Sequence, residues 1–365
     1  MEFYRIGQFS SAIFTTLKGY CAVDISVVIP VYNGEATIAL CLDSLLAQAS
    51  RQPHAEIIVV DDCSTDRTRE IVTAYSGVRS VFLPANQGPA GARNRGAAES
   101  QGPIILFTDA DCIPKADWLY EMVEPFRKDS RVIGVKGVYL TRQRQLTARF
   151  VQLEYEDKYD KMAQDQEIDF IDTYAAGYRK AVFLEMGGFD GRFPVACAED
   201  VDLSFRMADQ GHKMVFAPRA IVYHTHPSSW IDYVRKKYKF AFWRVAAVRR
   251  TPRKAMRDSH TPWSQKSQMI LIPLSTILLV TGVVSPLGPW PGVIGWCVAG
   301  LSMMPFITKS IVRDPLPAML APVYLIPRAF VQCLAVILGL TYALQNSSQS
   351  EDPLGGSTIR GISRD

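Results

Sequence analysis

The chain has 365 residues, 48% of them hydrophobic and 21% charged, with a formal net charge of +4. That length holds one large domain plus an appendage around a sizeable core, and so small a net charge argues against nucleic acid as a partner. The seven cysteines form no Cys-x-x-Cys pair, which points to reduced thiols in a cytoplasmic domain and away from a disulfide framework or a zinc site.

Residues 1–23 place Phe3, Ile6, Phe9, Ile13, Phe14 and Leu17 roughly on one helical face. An amphipathic helix of this kind lies on a membrane or packs on the domain behind it. No secretory leader is expected, because a continuous apolar stretch with a small-residue cleavage site is not read there. Asp24 to Pro30 is an apolar run that reads as a buried strand, and Glu35 to Ala49 follows with helical spacing. Glu56 to Asp62 is the next strand, and Ser64-Thr65-Asp66 is a helix start. Val81 to Leu83 reads as a third strand, Gly88 to Glu99 as a helix, and Ile104 to Thr108 as a fourth strand ending in Asp109 and Asp111. Strands alternating with helices predict an α/β fold with a doubly wound, mainly parallel sheet. Ligands of such sheets sit beyond the carboxyl ends of the strands, where Asp61, Asp62, Asp109 and Asp111 all fall.

Residues 113–225 read as the second half of the same domain, with helices at Trp118–Phe126 and Leu146–Met162, a strand within Val132–Tyr139, and a helix opening at Glu199-Asp200. A catalytic domain over 24–245, a basic juxtamembrane linker over 246–267, two to three transmembrane or re-entrant helices over 268–344, and a polar tail over 345–365 complete the organisation. The basic run from Arg235 to Lys266 precedes the apolar segments. It predicts a multi-pass protein of the cell membrane with the catalytic domain cytoplasmic, and anionic lipids as partners.

Two aspartates separated by one residue at a strand end suit a hard divalent ion that keeps several waters and bridges a diphosphate. The motifs Val28-Ile29-Pro30-Val31-Tyr32-Asn33 with Glu35, Val60-Asp61-Asp62-Cys63-Ser64-Thr65-Asp66, Asn86-Gln87-Gly88-Pro89-Ala90-Gly91-Ala92-Arg93-Asn94, Asp109-Ala110-Asp111, Gly187-Gly188-Phe189-Asp190 and Glu199-Asp200-Val201-Asp202 follow one another. Together they resemble the family 2 inverting glycosyltransferases of GT-A fold, over about residues 24–245. The resemblance implies a nucleotide-sugar donor, a Mg²⁺ or Mn²⁺ ion, and Asp200 as the catalytic base. It places Pro30, Val31, Tyr32, Glu35, Asp61, Asp62, Arg93, Asp109 and Glu199 around the donor, and Asp111 and His224 on the metal. His226 is the second histidine near that position, and two histidines alone do not make a zinc site.

Processive relatives carry Gln-x-x-Arg-Trp before their membrane helices, whereas this chain reads Lys239-Phe240-Ala241-Phe242-Trp243-Arg244. One sugar per event is therefore expected, delivered to a membrane lipid, a lipid-linked glycan or a terpenoid at the cytoplasmic face. Two alternatives are a catalytically inactive nucleotide-binding scaffold and a nucleotidyltransferase. The latter usually carries a Gly-Gly-x-Gly loop where this chain has Pro30-Val31-Tyr32-Asn33.

Overall fold

The computed structural model describes residues 23–52, 54–193, 198–255 and 258–347. The N-terminal amphipathic segment and most of the polar tail lie outside these residues. The strands are β1 (Ile25–Val31), β2 (Ala55–Asp61), β3 (Val78–Phe82), β4 (Ile104–Phe107), β5 (Ile113–Pro114), β6 (Val132–Leu140), β7 (Ala176–Arg179) and β8 (Lys213–Tyr223). They form one sheet in the order β3-β2-β1-β4-β7-β6-β8-β5. The half read most clearly from sequence, β3-β2-β1-β4, is parallel throughout. Beyond it, β7 runs antiparallel to both β4 and β6, and β6 pairs with β8 in parallel, so the whole sheet is mixed.

Every residue of β1 is buried, as expected of a parallel strand covered on both faces. One face takes α1 (Ile38–Ala49), α2 (Thr68–Thr73) and α4 (Trp118–Lys128), packed through residues such as Leu42, Val72, Trp118 and Met122. The other face takes α3 (Gly88–Glu99), α6 (Lys180–Glu185) and α7 (Glu199–Asp209), packed through Ala92, Phe183 and Leu203. Helix α3 lies directly on the sheet. A Cβ at Gly96 would stand 2.3 Å from the Val28 side chain, so only glycine allows that approach.

A third cluster joins α5 (Leu146–Met162) to the C-terminal helices. These are α8 (Trp230–Arg250), α9 (Trp263–Thr281), α10 (Trp290–Ile311), α11 (Pro315–Met319) and α12 (Ala321–Ser347). Besides apolar contacts, α5 holds them through charge pairs: Arg149 with Asp314 at 2.6 Å, Asp160 with Lys309 at 2.7 Å and with Arg313 at 2.8 Å, and Glu154 with Arg328 at 2.5 Å. A small pocket opens between α5 and these helices, lined by Glu154, Lys158, Gln268, Phe306 and Arg328 among others.

The basic run does not behave as a free linker. Lys237 pairs with Glu154, Arg244 and Lys266 with Asp258, Arg250 with Asp190 and Asp202, and Lys254 with Asp169. Glu154, Asp169, Asp190 and Asp202 precede the basic run and Asp258 lies within it, so these five side chains face carboxylates. Arg235, Arg249 and Arg253 remain at the surface.

Of the three apolar regions, two give helices long and apolar enough to cross a membrane, Trp290–Ile311 and Ala321–Gln345. Only 22% and 33% of their apolar windows are buried, unlike the core helix of a soluble domain. Helix α9 spends its first turns on Gln265, Lys266 and Gln268 and is not among them. Helix α12 runs beside α8: Trp230 Nε1 donates to the Val323 carbonyl, and Arg249 donates to the Ala343 carbonyl.

Candidate functional site

The carboxyl ends of β1, β2 and β4 open to one side of the sheet. At the end of β1, Pro30 and Val31 are buried while Tyr32 and Glu35 face solvent. Asn33 then adopts φ 51° and Cys63, after β2, φ 64°. Left-handed backbone at two non-glycine residues is uncommon. It persists because the two turns are tied together: the Asn33 side chain accepts from Thr65 N at 2.8 Å, and Asn33 N donates to Ser64 Oγ at 2.9 Å. Glu35 accepts from Arg67 N, and Asp66 accepts from Thr68 N and Glu35 N, ordering its own turn.

Asp61 ends β2. Its side chain is fully covered, paired with Arg69 Nε at 2.6 Å, and it accepts from Ser64 N. Those contacts leave it closing its own loop. Asp62 accepts from Gln87 N at 2.7 Å, and burial raises its carboxyl above the usual range despite that bond.

Arg93 bridges two acids of the site. It lies on α3, is 3% exposed, and reaches Asp109 at 2.7 Å and Glu199 at 3.3 Å. It is thus held between two carboxylates. Glu199 is 2% exposed and its other oxygen accepts from Ala198 N. The next residue, Asn94, ties α3 to the Gly187-Gly188-Phe189-Asp190 loop through bonds to Phe189 N and O. Gly188 has φ +66°, and a Cβ there would stand 2.5 Å from Asn94 Oδ1. Phe189 then anchors the loop against Phe107 and Phe183.

The two acids that Arg93 leaves unpaired have opposite environments. Asp111 is 3.0 Å from His224 Nε2, and bonding to His224 helps hold its carboxyl below the usual range, against its desolvation. Asp200 opens α7. Desolvation, and then the Glu199 carboxylate, push its carboxyl up to about 7.

Asp109, Asp111, Cys112 and His224 offer ligand atoms that lie within 4.8 Å of one another. The Cys112 thiol is buried, and burial raises its pKa well above the ordinary value, so it stays protonated beside the others. The remaining carboxylate oxygens and one imidazole nitrogen form a donor set suited to Mg²⁺ or Mn²⁺. His226 is placed elsewhere: its Nε2 contacts Gln152 at 3.1 Å, its ring stacks on Tyr155, and burial lowers its pKa to about 3.

Tyr139 on β6 was not legible as a site residue. The β6–β8 register pairs Tyr139 with Val222, which puts it on the face that carries His224. Its hydroxyl lies 2.5 Å from His224 Nδ1.

The fold is a mixed α/β sheet core of the GT-A glycosyltransferase class. Residues 26–187 match the family described as Glycosyl transferase family 2. The protein named Probable glycosyltransferase YdaM, of Bacillus subtilis, is 30% identical over 231 residues, which is 60% of this chain and 54% of that protein. Glycosyltransferase AglE of Haloferax volcanii is 30% identical over 207 residues, 55% of this chain and 66% of that protein. Mannosyltransferase PcManGT of Pyrobaculum calidifontis, solved with GDP-Man and Mn²⁺, superposes with a TM-score of 0.52 over 89% of this chain and 88% of that one. At 19% identity that likeness is one of fold. The chain spans 54% and 66% of the lengths of the two sequence relatives. The glycosyltransferase family 2 match is to the domain within residues 26–187.

Proposed function

We propose that the protein is an inverting glycosyltransferase that moves one sugar from a nucleotide-sugar to an acceptor hydroxyl at a membrane surface. The observation that carries this is the sorting of four carboxylates by one arginine. Asp109 and Glu199 share the ion pair with Arg93, Asp111 is left beside His224, and Asp200 is left with a raised pKa. Titratable groups pushed apart in this way take different chemical roles.

Asp200 is the general base. Its ionised carboxylate accepts the proton of the acceptor hydroxyl as the hydroxyl oxygen bonds to the anomeric carbon. The bond from that carbon to the diphosphate oxygen breaks, its electron pair leaves with the nucleoside diphosphate, and a single displacement inverts the configuration. Asp111 and His224, with the outer oxygen of Asp109, would hold Mg²⁺ or Mn²⁺. When bound, the ion supplies charge neutralisation for the leaving diphosphate. Pro30, Val31, Tyr32, Glu35 and Asp62 form the donor side of the cleft. Arg93, Glu199 and Asp61 keep the loops that carry the others in place.

The acceptor is a membrane lipid, a lipid-linked glycan or a terpenoid. Exposed apolar surface on α10 and α12 and the surface cations Arg235, Arg249 and Arg253 support a seat on anionic lipid, with the catalytic domain cytoplasmic.

Thermal unfolding of the detergent-solubilised protein against a panel of nucleoside diphosphates and nucleotide-sugars, with and without Mn²⁺, tests the reading. A metal-dependent rise with one nucleotide class, lost in Asp111→Ala, is expected from linkage. No shift with any of them, from folded protein, would overturn the donor site.

A further inference from the structure

Given the membrane seat proposed above, we infer that α12 lies flat along the bilayer surface, with one face sunk at the headgroup boundary, and does not cross the bilayer. Length and composition alone admit it as a span, but its neighbours do not. Helix α12 follows α8 from end to end. Trp230 Nε1 donates to the Val323 carbonyl at 3.3 Å, a Cβ at Gly339 would stand 2.8 Å from the Phe242 carbonyl, and Arg249 donates to the Ala343 carbonyl at 2.9 Å. Helix α8 is in turn seated on the catalytic domain at both of its ends. Tyr233 packs on Phe150 with ring centroids 5.8 Å apart, and Arg250 pairs with Asp202 at 2.7 Å. A crossing α12 would therefore draw α8 and the domain face behind it into hydrocarbon, together with Lys236, Lys239 and Arg244. Ionisable side chains are too costly there for a helix to carry so many.

The two faces of α12 agree with this. Tyr324, Arg328, Gln332, Ala335 and Gly339 recur at helical spacing and are buried against the protein. Arg328 reaches Glu154 at 2.5 Å and Gln268 at 2.8 Å. Val323, Phe330, Leu334, Ile337 and Leu344 stand exposed on the opposite face. An outward apolar stripe along the whole helix suits a seat in the plane of the interface. Charge selects an anionic bilayer as the occupant: Arg235 and Arg249 are exposed near the two ends of α8. Trp230 and Tyr342, exposed at the two ends of the α8–α12 seam, are residue types that gather at headgroup level. Helix α10 doubles back beside α9, where a Cβ at Gly292 would stand 2.3 Å from Leu279 N and one at Gly295 2.2 Å from Ser275 Oγ. That hairpin leaves and returns on one side, so a flat α12 keeps the end of the chain on the side of the catalytic domain. Helix α8 starts shortly after His224, and the flat pair holds the cleft at the height where the hydroxyl of a lipid-borne acceptor lies.

Two measurements on the full chain test this. The first is depth in vesicles containing phosphatidylglycerol. Cysteines other than the buried Cys41 and Cys112 are replaced by serine, and a nitroxide is placed in turn at positions 323, 330, 334, 337 and 344. Collision rates with oxygen and with a nickel chelate report how deep each label sits. A flat helix gives all five one shallow depth, about 5–10 Å below the headgroups. A helix rises about 30 Å from Val323 to Leu344, so a crossing helix is shallow at both ends and deepest, about 15 Å in, near Leu334. That profile would overturn the inference, as would five water-exposed labels on protein that floats with the vesicles. A chain that does not float with them would remove the membrane seat itself. The second measurement keeps every native side chain and adds an epitope after Asp365. In sealed membrane vesicles whose catalytic domain a protease can reach, the epitope should be cleaved as well. Its protection would overturn the flat placement and leave the membrane seat standing.

Discussion

Asp109-Ala110-Asp111 at the end of β4 and Glu199-Asp200 at the start of α7 are two acid pairs built on one plan. In each, the first acid pairs with Arg93 and the second does not. The difference lies in what surrounds the second acid. His224 beside Asp111 favours the charged carboxylate, which suits a cation. Desolvation and Glu199 beside Asp200 favour the proton, which suits a base working near neutral pH. The comparison teaches that residue type alone does not assign a carboxylate its role. The partner taken by its neighbour does.

The strongest way to separate the two pairs is Asp200→Asn. Transfer should fall by about 10²- to 10⁴-fold, with nucleotide and Mn²⁺ binding kept. The same variant should melt no lower than wild type at pH 8. The sign follows from linkage: a folded pKa of about 7, above that of an unfolded aspartate, gives stability at low pH that is lost as pH rises through 7. A lower melting temperature at pH 8 would contradict the buried, proton-favouring site.

Arg93→Gln breaks both pairs at once. It leaves Glu199 buried without its cation and should cost about 3–5 kcal/mol, read as a lower midpoint in chemical unfolding. An unchanged midpoint would mean that the clamp is not structural. Asp111→Ala acts on one pair only, and Mn²⁺ affinity should fall by about a hundredfold with little change in metal-free stability. Finally, kcat/KM against pH should lose about tenfold per unit below pH 7 as Asp200 takes up its proton. The same limb persisting in an otherwise active Asp200→Glu variant at an altered pKa would sharpen the assignment. A flat profile from pH 5 to 8 would remove it.

The alternation of apolar strand and amphipathic helix, and the carboxylates at the strand ends, were legible in the sequence for a physical reason. A strand covered on both faces must be a continuous apolar run, so the first charged residue marks its end and the cleft together. Asp61, Asp62, Asp109 and Asp111 could be placed this way, and the parallel half of the sheet with them. The short β7 was not legible, because Ala-Gly-Tyr-Arg carries no β-branched residue and is held by neighbours on both sides. Nor was the inward turn of the basic run, since its acid partners, Asp169, Asp190 and Asp202 among them, lie on distant elements.

What the sequence determined by itself was local: periodicity, strand ends and the supply of acids, each set by residues within a turn or two. What only the tertiary structure decided was pairing. Arg93 and Glu199 are 106 positions apart, and Tyr139 and His224 are 85 apart. Ion pairing and side-chain hydrogen bonding depend on distances of a few ångströms between such partners, and those distances exist only once the sheet has closed its register.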